Sequence, residues 1–156
     1  MTIARIIATF GGCGLAPKAP GTVGSLAALI AGLPLLKKPK VLLLSAVAAT
    51  GVGLWASHKA GDGEDHSWIV IDEVAGMWIS LLACAAVDKK KSAGWLWPLV
   101  AFGLFRLFDI KKPGPVGYMD RRHDAVGIMG DDVVAGIMAA LCIKVLRTAA
   151  GFFKKA

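Results

Sequence analysis

Two short segments of this 156-residue chain repeat one pattern. Asp72 to Gly76 reads DEVAG and Asp132 to Gly136 reads DVVAG, and each aspartate has a second acid beside it, Glu73 in one and Asp131 in the other. On a helix, an aspartate four residues before a glycine shares a face with it, so a neighbouring helix or a ligand can come close to the carboxylate. Capping of a helix N-terminus explains one aspartate per helix. It does not explain doubled acids at the start of apolar helices, because adjacent carboxylates repel and their burial near lipid is costly unless something positive lies between them. A divalent cation is the economical answer. Mg²⁺ takes oxygen ligands from a few carboxylates and shares its remaining positions with water and substrate phosphate. The candidate ligands are Asp72, Glu73, Asp109, Asp131 and Asp132.

Asp109 belongs to a third stretch, FRLFDIKKPGP from Phe105 to Pro115. Arg106 and Asp109 are three apart and would share a helical face, where an exposed ion pair is worth little. Beside the two acid-bearing helices the stretch has a second use. Asp109 joins the carboxylates, Arg106 and Lys112 take phosphate, and Pro113 ends the helix just beyond them. A fourth stretch, GGCGLAPKAPGTVGSL from Gly11 to Leu26, supplies flexible backbone amides at Gly21, hydroxyls at Thr22 and Ser25, and the Lys18 cation. Taken alone it is an ordinary turn and helix cap. Placed at an acid-rich end it becomes a phosphate-binding helix N-terminus, although no Gly-Lys-Ser/Thr follows the glycines, so it is not a Walker loop.

These residues must be positioned by apolar elements. Hydrophobic residues make up 56% of the chain and mean hydropathy is +0.62, well above a typical soluble domain. Five apolar runs stand out: residues 23–36, 41–56, 74–87, 95–105 and 133–143. Each is shorter than the roughly 20 residues of a bilayer crossing, so spanning requires flanking residues or snorkelling of basic side chains such as Lys144 and Arg147. The expected fold is all-α, one compact multi-helical bundle over residues 1–156, membrane-embedded or membrane-spanning. If all five runs cross, the N-terminus, the segment 57–73 and the segment 106–132 share one end, which gathers every acid of the chain except Asp88. The basic residues divide almost evenly between the two ends and do not orient the chain.

Other chemistries fit less well. A net charge of +7 permits nucleic-acid binding, but here the lysines lie between greasy runs, the pattern of a membrane-surface protein. Cys13, Cys84 and Cys142 form neither a CxxC pair nor a C-x5-R phosphatase loop and read as small apolar residues. His58, His66 and His123 read as surface histidines, and the His123-Asp124 pair lacks an evident helical context. The first twenty residues do not resemble a removable signal peptide.

Together, GLAPKAPGTVGSL, VIDEVAGMWI, FRLFDIKKPGP and GIMGDDVVAGI, in this order and spacing, resemble the phosphatidylglycerophosphatase A family of small bacterial lipid phosphatases. The resemblance covers residues 10 to 140. It implies Mg²⁺-dependent hydrolysis of the terminal phosphate of phosphatidylglycerophosphate to phosphatidylglycerol, as a step of phospholipid synthesis at the cytoplasmic face of the inner membrane. Its partners would be that lipid and membrane phospholipids; oligomeric state is left open. Two positions depart from the family pattern: Gly114, often tryptophan, and Gly130, commonly a larger apolar residue. Both bear on local packing or membrane seating and leave every charged candidate in place. In the expected mechanism, phosphate oxygens are shared between Mg²⁺ and Lys18, Thr22, Ser25, Arg106 and Lys112, with an ion-activated water attacking and one carboxylate as base. A phosphoaspartyl route is less economical, since no DxDxT pattern is present. The competing classes are a helical metal-dependent nucleotide pyrophosphatase and a non-enzymatic membrane carrier or assembly subunit.

Overall fold

A computed structural model describes residues 1–62, 64–85 and 95–153, with the side chains of 151–153 excepted. Every regular element among the described residues is helical: α1 (Ile3–Ala8), α2 (Pro20–Gly32), α3 (Pro39–Gly61), α4 (Ile71–Ala85), α5 (Leu96–Lys111), α6 (Pro115–Asp120) and α7 (Ala125–Phe153), with short 3₁₀ turns at Cys13–Leu15 and Leu33–Lys37. The all-α expectation holds, and the apolar runs fall in α2, α3, α4, α5 and α7. Ala86, Val87 and Asp88, the lysines at 89–91, and Lys154 with Lys155 lie outside the described residues.

Helix starts follow local chemistry. Pro20, Pro39 and Pro115 each sit in a first turn, where a missing N–H costs nothing. One start corrects the sequence reading. The pair Asp131-Asp132 does not open a helix: α7 begins at Ala125, where the Asp124 carboxylate accepts the Gly127 N–H at 2.8 Å. Capping chemistry sits in the His123-Asp124 segment, which reads as loop, and the acid pair is carried two turns inside the helix. Capping therefore cannot account for Asp131 or Asp132.

α4 is the centre of the bundle, packed against α2, α3, α5 and α7. Val74, Ala75, Met77 and Leu81 are fully buried on it, against Phe105 of α5 and Met129 of α7 among others. The closest approach is between α4 and α7. A Cβ built on Gly136 would lie 2.9 Å from the Gly76 Cα and carbonyl carbon, and one on Gly76 would collide with the Asp132 carbonyl and the Phe105 ring. The glycines of DEVAG and DVVAG thus face each other, backbone against backbone. The space that the sequence pattern leaves beside each aspartate is filled by the other helix.

Among the described residues, three stretches are long and apolar enough to cross a bilayer: Pro20–Lys37, Pro39–Gly61 and Ala125–Ala150. Their outer faces leave Ile30, Leu44, Val47, Leu141 and Val145 exposed, as expected of lipid-facing helices. The described part of α4 runs 15 residues to Ala85, where the described residues stop, and α5 runs 16. The two departures from the family pattern also find local reasons. Gly114 adopts φ +48°, which favours glycine, and the space beside Gly130 is taken by the Met119 side chain of α6.

If the Gly76–Gly136 approach sets the bundle, Gly136→Ala should destabilise the detergent-solubilised protein by about 1–3 kcal/mol through overpacking. Gly103→Ala, where a Cβ meets nothing within 4 Å, should instead stabilise it by up to about 1 kcal/mol. Thermal unfolding of both variants checks this; equal midpoints for Gly136→Ala and the parent protein would refute the close-approach argument.

Candidate functional site

Four helices deliver polar residues to one cavity of about 350 Å³. The N-terminus of α2 brings Pro20 and Gly21, the first turn of α4 brings Asp72 and Glu73, the last turns of α5 bring Arg106 and Asp109 with Lys112 just beyond, and α7 brings Asp131 and Asp132. All five carboxylates expected from the sequence line this one space. They form two sets in which one oxygen per residue lies within 4.8 Å of the others: Asp72, Glu73 and Asp132, and Asp109, Asp131 and Asp132.

Each cation is tied to two acids. Arg106 Nη1 donates to Glu73 Oε2 at 2.9 Å and also pairs with Asp109, so the local ion pair expected on α5 exists and is extended across to α4. The same guanidinium reaches Ser25 Oγ and Thr22 Oγ1, both at 3.3 Å. Lys112 Nζ donates to Asp131 Oδ2 at 2.9 Å and to Asp120. Lys112 is the C-cap of α5, left-handed at φ 46° with its N–H donated to the Phe108 carbonyl, so the turn that ends the helix also carries this side chain.

Glu73 is held from α2. Fully buried Ser25 donates its hydroxyl to Glu73 Oε2, and a Cβ at Gly21 would run into the Glu73 carboxylate. Gly21 is therefore needed for the approach of Glu73 and not only for a turn. Asp72 Oδ1 accepts the Glu73 N–H and Asp131 Oδ1 the Asp132 N–H, each at 2.9 Å. Two buried polar atoms on residues of the cavity wall have no hydrogen-bond partner among the described residues: Asp132 Oδ1 and Arg106 Nε.

The electrostatics show a shortage of positive charge. Outside the candidate spans, burial raises the Asp72 carboxyl well above the usual carboxylate range, and the Glu73 charge adds to it. Burial also raises Glu73, to about 7, although Arg106 and Ser25 pull the other way. Burial works against the Lys112 charge, yet its hydrogen bonds to Asp120 and Asp131 raise its pKa. Six acids of the wall facing two cations lack a counter-charge, and oxygen donors clustered this way suit a hard divalent cation such as Mg²⁺.

Not every expected residue is in place. Lys18 stands exposed in the loop two residues before Pro20 and does not line the cavity. Conversely, the wall includes Asp65, His66 and Ser67, and Lys112 pairs with Asp120. His66 is half-buried and stacks on Trp68 at 5.2 Å, and Arg5 lies over the Trp68 ring at 4.8 Å. It is not the surface histidine expected from sequence; His58 and His123 are exposed. The acid run in GEDHSW is the signal that could have drawn attention to this rim.

The family model of phosphatidylglycerophosphatase A matches residues 6–147. A Bacteroides thetaiotaomicron protein provisionally named as a phosphatidylinositol-3-phosphatase is 41% identical over 94% of this chain and 94% of its own length. Proteins named phosphatidylglycerophosphatase A are 38% identical in Escherichia coli, over 87% of this chain and 78% of theirs, and 40% identical in Haemophilus influenzae, over 89% and 85%. No solved structure matches the chain.

The bridging role of Arg106 is measurable. Arg106→Met should cost roughly 3 kcal/mol, because Glu73 and Asp109 are left buried and unneutralised. Adding Glu73→Gln should recover part of that loss. A double-variant cycle in detergent checks it, and strict additivity of the two changes would show that the pair is not coupled.

Proposed function

The chain belongs to the phosphatidylglycerophosphatase A family, and from that membership and the chemistry of the cavity we propose that it hydrolyses phosphatidylglycerophosphate to phosphatidylglycerol and phosphate, with Mg²⁺ as cofactor. The observation that carries this reading is Asp132 Oδ1: a buried carboxylate oxygen without a partner among the described residues, in a cavity lined by five other acids and a guanidinium whose Nε also lacks one. The first atom calls for a cation and the second for an anion. A metal ion together with a phosphate monoester meets both.

The ion would be held by oxygens drawn from Asp72, Glu73, Asp109, Asp131 and Asp132, a donor set that fits Mg²⁺. When bound, it withdraws charge from the phosphoryl oxygens and makes nearby water more acidic. With the carboxylates neutralised, Arg106 and Lys112 would take phosphate oxygens, helped by the Thr22 hydroxyl and the N-terminus of α2 at Gly21. Water attacks phosphorus, one of the carboxylates takes its proton, and the bond from phosphorus to the glycerol oxygen breaks. The leaving alkoxide takes up that proton from the carboxyl group and diffuses away as phosphatidylglycerol. Such catalysis rests on positioning and charge neutralisation.

The three candidate spans support a reading in which the cavity lies at a membrane surface, where a lipid headgroup would reach it while its acyl chains stay in the bilayer. The proposed setting is the bacterial inner membrane, with the cavity at the cytoplasmic face and the reaction serving phospholipid synthesis. A second substrate reading comes from the Bacteroides relative's name, phosphatidylinositol 3-phosphate, which is likewise a phosphate monoester on a lipid-borne polyol.

Phosphate release from phosphatidylglycerophosphate by the detergent-solubilised protein should require Mg²⁺ and stop with EDTA. Release from phosphatidylinositol 3-phosphate and from nucleotides should be slower. Asp72→Asn, Asp109→Asn and Asp132→Asn should each reduce turnover by roughly 100-fold or more while the protein stays monodisperse. Equal rates in Mg²⁺ and EDTA would end the metal reading, nucleotide preference would favour a pyrophosphatase, and absence of release at any metal concentration would favour a carrier or assembly subunit.

A further inference from the structure

Asp132 is the member common to both carboxylate sets. One set reaches it from the first turn of α4, through Asp72 and Glu73; the other reaches it through Asp109 of α5 and its neighbour Asp131. It is 3% exposed, lines the cavity, and keeps Oδ1 without a hydrogen-bond partner. We infer that the site is built for two divalent cations, one in each set, with Asp132 bridging them. This rests on the reading that the carboxylates hold a divalent cation and adds how many and where.

Charge favours two ions. The six carboxylates and the cations Arg106 and Lys112 that line the cavity leave a formal charge of −4. One divalent ion leaves −2, a repulsive setting for a phosphate monoester carrying up to about two negative charges. Two ions neutralise the wall and remove that repulsion. Coordination points the same way. Mg²⁺ is octahedral, so five carboxylates on a single ion would leave almost no position for phosphate or water, whereas three per ion leave room at both. Paired ions clamping one phosphoryl group are a general solution for in-line displacement.

Mn²⁺ binding to the full-length protein in detergent, followed by loss of the free-ion EPR signal, tests this. Two Mn²⁺ per chain with a spin-coupled spectrum are expected. Glu73→Gln and Asp109→Asn should each reduce the count to one and abolish the coupling, and Asp132→Asn should weaken both sites at least tenfold. A count of one in a protein with Mg²⁺-dependent phosphate release would overturn the two-ion arrangement and leave the single-ion reading standing. Two ions unaffected by Glu73→Gln and Asp109→Asn would also overturn it. No binding, with metal-independent release, would overturn both readings.

Discussion

Everything about the site depends on how closely α4 and α7 approach. Gly76 meets Gly136 with no side chain between them, and each glycine stands four residues after an aspartate. Asp72 and Asp132 are therefore carried to the same place by the same contact. Larger residues at either glycine would push the helices apart and separate the carboxylates. The crossing is favourable as packing between small residues and unfavourable as electrostatics, since it brings acids together away from water. A fold that kept this arrangement only for stability would gain by replacing the acids with apolar side chains of similar size. Their presence points to a cation.

The surroundings act as temporary partners. Arg106 spans Glu73 and Asp109, and Lys112 spans Asp120 and Asp131, so each basic group holds two carboxylates from different parts of the chain. Both are also suited to phosphate. Under the proposed function, one set of cations would stabilise the acids without metal and take the substrate phosphate once the metal is bound. Gly21 and Ser25 serve the same arrangement from α2, by admitting and fixing Glu73.

Much of this was legible in the sequence. Hydropathy marked the helices because burial and lipid exposure both select apolar residues, and the parity of the runs placed the acids at one end. The repeated DxVAG pattern carried the glycine crossing as well as the carboxylates. The depth of Asp131 and Asp132 in α7 was hidden, because the helix start depends on the Asp124 cap, inside a polar segment that reads as loop. His66 and Asp120 were hidden for another reason. His66 takes its place by stacking on Trp68, which Arg5 of α1 in turn covers, and Asp120 from the turn that α6 makes after Pro113; neither leaves a periodic trace. Lys18 illustrates the converse, since nearness in sequence to the α2 N-terminus did not bring it to the cavity wall.

The central claim is that the α4–α7 crossing makes a cation site at Asp132. Anomalous diffraction from crystals grown with Mn²⁺ tests it most directly. The account predicts anomalous density touching Asp132 Oδ1 together with carboxylates from α4 and α5. Density found only elsewhere, with Asp132 Oδ1 satisfied by a protein donor, would contradict it.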